Sequence, residues 1–124
     1  MSTELDFIKH YIYLLKIRFR DAIEFNIELG DEIKMKEIVP VTLQILIENA
    51  IKHNIISLSN PLRISIAADG DYLTVQNNLN RKAQVESSNK QGLENIKGFY
   101  RYLSPLPIQI LETESRYTVK IPLI

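Results

Sequence analysis

The sequence predicts an α/β fold (α+β in its layering): a two-layer sandwich with helices on one face of a mixed, mainly antiparallel sheet. Apolar residues recur at helical spacing in three segments, short segments between and after them alternate with period two, and Asp69-Gly70-Asp71 makes one strand pair a tight hairpin. At 124 residues and 45% hydrophobic content, the chain is long enough for one core, and residues 1–124 are read as a single domain.

Leu5, Ile8, Ile12, Leu15, Phe19 and Ile23 lie three or four residues apart, so residues 1–23 are expected to form a helix leading into the domain. Phe25, Ile27 and Leu29 then alternate with polar neighbours before the Gly30-Asp31 turn, which predicts a strand with one buried face. Glu32 to Ile38 reads as a short edge strand or loop. Pro40 suits the first turn of a helix, where its missing N–H has no partner, and Leu43, Leu46, Ile47, Ala50 and Ile51 continue a second helix to Ile55.

Arg63 to Ala68 and Tyr72 to Asn77 form the hairpin. The polar stretch from Asn77 to Gln91 has no sustained period, and a loop of that length in a compact domain points to a functional role such as a lid. Gly92 opens a third helix with Leu93, Ile96, Tyr100 and Leu103 inward, closed by Ser104-Pro105-Leu106-Pro107. Strands from Ile108 to Leu111 and Arg116 to Leu123 complete the sheet.

Lysine plus arginine and aspartate plus glutamate each number 15, and this balance argues against a surface built for nucleic acid or anionic membrane. Without cysteine there is no disulfide framework, thiolate metal site or cysteine nucleophile. With two histidines and no clustered carboxylates, a zinc site is not expected either. No run approaches the roughly 18 apolar residues of a membrane span, and the amino terminus lacks signal-peptide order. The abrupt start on a helical pattern suggests a piece of a longer protein.

Chemistry concentrates on the second helix. At about 100° per residue, Glu48, Lys52, Asn49 and His53 occupy an arc of about 140°, opposite the apolar residues. A carboxylate, a carboxamide, an ammonium and an imidazole on one face offer an oxygen ligand for Mg²⁺, a cation for phosphate oxygens and a base. On charge pattern alone, the favoured reading of the same face is a solvated surface with an i,i+4 Glu48–Lys52 pair contributing about 0.3–0.5 kcal/mol.

Residue order separates the two readings. Glu48-Asn49-Ala50-Ile51-Lys52-His53-Asn54, preceded by Pro40-Val41-Thr42-Leu43-Gln44-Ile45-Leu46-Ile47, resembles the N box of the ATP-binding domain of sensor histidine kinases of two-component systems, in the LytS/YehU-like branch. Tyr11-Ile12-Tyr13-Leu14-Leu15-Lys16-Ile17-Arg18-Phe19 resembles the Tyr-x-x-Leu-x-x-x-Arg-Phe helix before that box. Gly92-Leu93-Glu94-Asn95-Ile96 resembles its second glycine motif, and Val119-Lys120-Ile121-Pro122-Leu123 its closing strand.

The resemblance implies the histidine kinase ATPase-like (Bergerat, GHKL) fold, with ATP and Mg²⁺ as ligands. Asn49 is then the Mg²⁺ ligand, Glu48 the base or water-positioning group, Lys52 a group facing the nucleotide and His53, at the box's aromatic or histidine position, a supporting residue, with a hydrogen-bonded rim histidine as its structural alternative. Asn77 aligns with the aspartate that accepts from the adenine amino group; an asparagine carbonyl still accepts, but less strongly. Both glycines of that first motif are missing, and the second motif keeps only Gly92, followed by Leu93, for close approach to phosphate. Arg81, Lys82 and Lys90 offer compensating charge.

The same resemblance implies a cytoplasmic catalytic domain of a membrane-anchored protein. It would transfer the ATP γ-phosphoryl to a histidine on an upstream segment, in a homodimer partner, with a response regulator as the eventual acceptor. His10 lacks the His-Phe-x-x-Asn setting of that phosphoacceptor. The altered glycine motifs leave a second reading open, a degenerate domain with weak or no ATP binding that acts as a signalling interaction module.

Overall fold

The computed structural model describes residues 2–30, 38, 42–79, 90–103 and 106–123. Helix α1, Ser2–Phe19, buries Leu5, Ile8, Ile12 and Leu15 and leaves Phe7, Leu14 and Ile17 exposed on its other side. It ends earlier than its apolar spacing suggests. Arg20 has φ 52°, a left-handed conformation that cannot propagate a right-handed helix, and a single 3-10 turn, Arg20–Ala22, redirects the chain. Ile23, expected as the last residue of the helical stripe, is instead the first residue of strand β1, Ile23–Glu28.

Strand β1 pairs in parallel with β2, Leu62–Asp69, from Ile23↔Leu62 to Glu28↔Ala67. Parallel neighbours need a crossover, and helix α2, Thr42–His53, lies on that connection. It ends at His53, two residues before the expected Ile55, and residues 39–41, which include its expected start at Pro40, lie outside the described residues. Of the edge strand or loop expected from Glu32 to Ile38, residues 32–37 also lie outside them, while Ile38 is buried and not in a strand.

Strand β3, Tyr72–Asn78, folds back on β2 through Gly70, whose φ of 62° is the left-handed conformation that glycine adopts at no steric cost. Helix α3 is Lys90–Leu103, so Lys90 and Gln91 are helical and Gly92 lies within the first turn instead of opening it. Ile96 and Tyr100 point inward as expected, but Leu103 ends the helix and is 53% exposed. The expected lid is shorter at both ends, because Asn77 and Asn78 are strand and Lys90 and Gln91 helix; residues 80–89 are outside the described residues. Strands β4, Gln109–Glu112, and β5, Arg116–Pro122, close the sheet in the order β1-β2-β3-β5-β4, with the β1–β2 pairing the only parallel one among the described residues.

The register explains the two layers. Ile64, Ile66, Leu73, Val75, Val119 and Ile121 fall on one face and are buried. Glu24, Arg63, Gln76 and Thr118 alternate onto the other; Arg63 Nε lies 2.9 Å from Glu24 Oε2, and Thr118 Oγ1 lies 3.4 Å from Gln76 Oε1. A sheet apolar on one side only is covered on that side. Helix α2 contacts β2, β3, α1 and α3, which makes it the middle of the helical layer. Ile47, Ile66, Leu73 and Ile121 are 0% exposed, each burial contributing about 1.5–3 kcal/mol. Among the described residues no helix is long and apolar enough to cross a membrane.

Candidate functional site

Helix α2 seats Leu43, Leu46, Ile47 and Ala50 in the core, and this fixes which of its side chains turn away from the sheet. Glu48, Asn49 and His53 are half-buried and Lys52 is exposed. These are the four residues the sequence places on one arc, and the helix holds them together.

Glu48 is engaged from two elements. Its Oε1 accepts from the Gln44 carboxamide at 3.1 Å, one helical turn back, and from the Tyr11 hydroxyl of α1 at 3.4 Å. Burial, then the Glu48 charge, then that hydrogen bond push the Tyr11 phenol up to about 12 from its ordinary 10, against an opposing pull from Arg18. Burial being the leading cause agrees with the bond, which at 3.4 Å is longer than an ordinary O–H···O hydrogen bond.

Asn49 differs. Its Oδ1 is buried and, among the described residues, has no hydrogen-bond partner. An orphaned buried carbonyl oxygen costs about 1–3 kcal/mol, which is unusual in a folded protein unless a ligand completes it. A carboxamide oxygen is a ligand type that Mg²⁺ accepts, so the donor chemistry fits the ion the N box implies.

The last residue of the box has a structural task. Asn54 is 1% exposed, and its amide donates to the Ala50 carbonyl at 2.8 Å, closing one of the carbonyls left open at the helix end.

The adjacent asparagines of β3 also divide. Asn78 is a stitch: its Oδ1 accepts from the Arg63 backbone N–H at 2.6 Å and its amide donates to the Pro61 carbonyl at 3.0 Å, tying the end of β3 to the start of β2. Asn77 sits on the helix-covered face in line with Leu73 and Val75, is 5% exposed, and donates its amide to the Asn78 carbonyl at 2.8 Å. With the amide spent on backbone, its carbonyl oxygen is the group left to accept.

Gly92 and Leu93 lie in the first turn of α3, while Arg81 and Lys82 lie outside the described residues. His10 is exposed on α1, with Nδ1 2.8 Å from the Asp6 carbonyl, an ordinary surface arrangement. Two surface depressions follow β1, one lined by Lys16, Arg20, Asp21 and Glu24 and the other by Glu24, Asn26, Arg63 and Ser65; neither draws a lining residue from α2. Sequence reasoning missed Tyr11 and Gln44. Gln44 was within reach, being one turn before Glu48, but nothing in the spacing pairs Tyr11 with a residue 37 positions later.

With the one-sided α/β sheet and the Glu-Asn-Ala-x-Lys-His-Asn face of its central helix described, the comparisons show what the chain is similar to: sensor histidine kinases. It is 28% identical over 95 residues to the sensor histidine kinase BtsS of Escherichia coli K12, covering 75% of this chain and 17% of that protein. It is 36% identical over 80 residues to the sensor protein kinase HptS of Staphylococcus aureus USA300, covering 63% of this chain and 15% of that one. The chain thus spans less than a fifth of the curated relatives it matches. The Acinetobacter baumannii histidine kinase AdeS superposes with a TM-score of 0.47 at 15% identity, over 93% of this chain and 64% of that one. No protein-family model matches the chain.

Proposed function

We propose that residues 1–124 form the ATP-binding catalytic domain of a sensor histidine kinase, with a Bergerat-type nucleotide site on the polar face of α2. The observation that carries this is the buried Oδ1 of Asn49 beside Glu48, without a hydrogen-bond partner among the described residues. In this reading Asn49 holds Mg²⁺, which supplies charge neutralisation to the phosphates when bound. Lys52 faces phosphate oxygens, His53 forms the rim, and the Asn77 carbonyl accepts from the adenine amino group. Arg81 and Lys82 add charge along the lid, and Gly92, followed by Leu93, lets backbone approach phosphate. Glu48 takes the proton of the attacking group or orients it.

The γ-phosphoryl acceptor is a histidine on a separate segment, in a homodimer partner, and a response regulator receives the group in turn. The domain works in the cytoplasm as part of a membrane-anchored protein. Catalysis here is positioning plus charge stabilisation, so the 124-residue chain alone binds nucleotide but transfers little.

The second reading, a degenerate interaction module, draws on the departure at Asn77-Asn78, where an amide tied to backbone and a structural stitch replace the usual Asp-x-Gly-x-Gly. Calorimetric titration with ATP, with and without Mg²⁺, separates the two. Saturable binding that weakens when Mg²⁺ is chelated supports the kinase domain. No binding at millimolar nucleotide defeats it and leaves the interaction module.

A further inference from the structure

We infer that Tyr11 is a positioning residue for Glu48, through which the placement of α1 is carried to the reacting face of α2; this rests on the proposed nucleotide site. Tyr11 is half-buried at the α1–α2 contact, and its hydroxyl donates to Glu48 Oε1 at 3.4 Å. Gln44 donates to the same oxygen at 3.1 Å. The two donors have different consequences. Gln44 is on α2 and travels with Glu48, so its bond is blind to any shift between helices. Tyr11 is on α1, and a tyrosine has only two side-chain torsions, so its hydroxyl follows the α1 backbone.

Among the described residues both bonds end on Oε1. A carboxylate held by one oxygen presents the other in a fixed direction, so Oε2 is the atom left for the reacting proton. In hydrolysis, the water oxygen bonds to the γ-phosphorus as the bridging P–O bond to ADP breaks. The proton leaving the water goes to Oε2, and the products are ADP and inorganic phosphate. Holding Oε2 adds nothing to ground-state binding, so its loss falls on rate and not on affinity.

The test uses the 124-residue chain and Tyr11→Phe, Glu48→Gln and the double variant. Mg·ATP affinity is read by calorimetry and hydrolysis of labelled ATP by single turnover with protein in excess. Tyr11→Phe is expected to keep affinity within about twofold and to slow hydrolysis roughly three- to tenfold. Adding it to Glu48→Gln should slow hydrolysis no further, because Tyr11 acts only through that carboxylate. Without nucleotide, urea unfolding of the four proteins should show coupling between the two positions, a result that does not depend on activity.

An equal slowing by Tyr11→Phe in the Glu48→Gln background, an unchanged rate, or no coupling in unfolding overturns the inference alone. A wild-type chain that binds Mg·ATP yet hydrolyses none of it also overturns it, since Glu48 then has no reaction to be positioned for. Absence of Mg·ATP binding overturns the site reading and the inference together.

Discussion

The Asn54 carboxamide donates to the Ala50 carbonyl at 2.8 Å, so the segment that resembles the N box ends on a buried polar lock that closes the last turn of α2. Removing the donor leaves a core-facing carbonyl short of its partner in a site 1% exposed. Asn54→Ala should therefore cost about 1–3 kcal/mol of stability in urea unfolding. A cost under a few tenths would mean that the lock contributes nothing.

Asn49, five residues earlier, should behave in the opposite way. Among the described residues its buried oxygen has no partner to lose, so Asn49→Ala should leave stability unchanged or raise it by up to about 1–3 kcal/mol, the cost of the orphaned oxygen being relieved. The Mg²⁺-dependent part of ATP affinity should disappear in the same variant. Calorimetry beside urea unfolding separates the effects; a large stability loss, or full Mg²⁺-dependent binding, would remove Asn49 from the site.

Tyr11 makes stability pH-dependent in the alkaline range. Its folded pKa of about 12 lies above the ordinary 10, so the folded state holds the phenolic proton more tightly. The resulting stabilisation is fully present below about pH 10 and is lost as pH rises toward about 12. The side chain is partly exposed, so the loss is smaller than the roughly 1.4 kcal/mol per pH unit of a fully buried group. Urea midpoints of wild type and Tyr11→Phe from pH 9 to 11.5 should show the wild-type advantage shrinking with pH, and a constant difference would contradict it.

Much of this architecture is legible in the sequence because the sheet has one wet face. Period-two alternation at Arg63–Ala68 and Tyr72–Asn77 marks the inner residues, and Asp69-Gly70-Asp71 marks the turn. The end of α1 is not legible. Ile23 continues the helical spacing of Phe19, and only the left-handed backbone at Arg20, which side-chain pattern does not encode, moves Ile23 into a strand. The α2 polar face is readable because four of its residues lie within one and a half turns. The Tyr11–Glu48 contact is tertiary and leaves no local trace.

Arg20 offers a direct test of that break. A non-glycine residue at φ 52° carries about 1 kcal/mol of steric cost that glycine does not. Arg20 is exposed, so little packing is lost on replacing it. Arg20→Gly should raise stability by about 0.5–1 kcal/mol, while Arg20→Ala, which keeps the Cβ, should not. Urea unfolding of the two variants decides it, and a glycine variant no more stable than the alanine one would show that the turn is unstrained.

Asn77 invites the substitution that would bring the site closer to the usual adenine-binding aspartate, and the structure argues against a gain. The Asn77 amide donates to the Asn78 carbonyl at 2.8 Å in a site 5% exposed. Asn77→Asp replaces that donor with a second acceptor facing the first and desolvates a charge, each of which disfavours the ionised form. The new carboxyl should take a folded pKa above its unfolded value of about 3.9, so the stability deficit relative to wild type is largest at neutral pH and shrinks as pH falls toward 4. A deficit of about 1–3 kcal/mol near pH 7 is expected from the lost bond and buried charge. With the carboxylate oriented by repulsion from Asn78, Mg·ATP affinity should fall or stay level at pH 7, although a carboxylate is the stronger acceptor for an amino group. Urea unfolding from pH 4 to 8 and calorimetry at pH 7 check both halves, and tighter binding by a variant as stable as wild type would show that the Asn77–Asn78 bond does not orient this side chain.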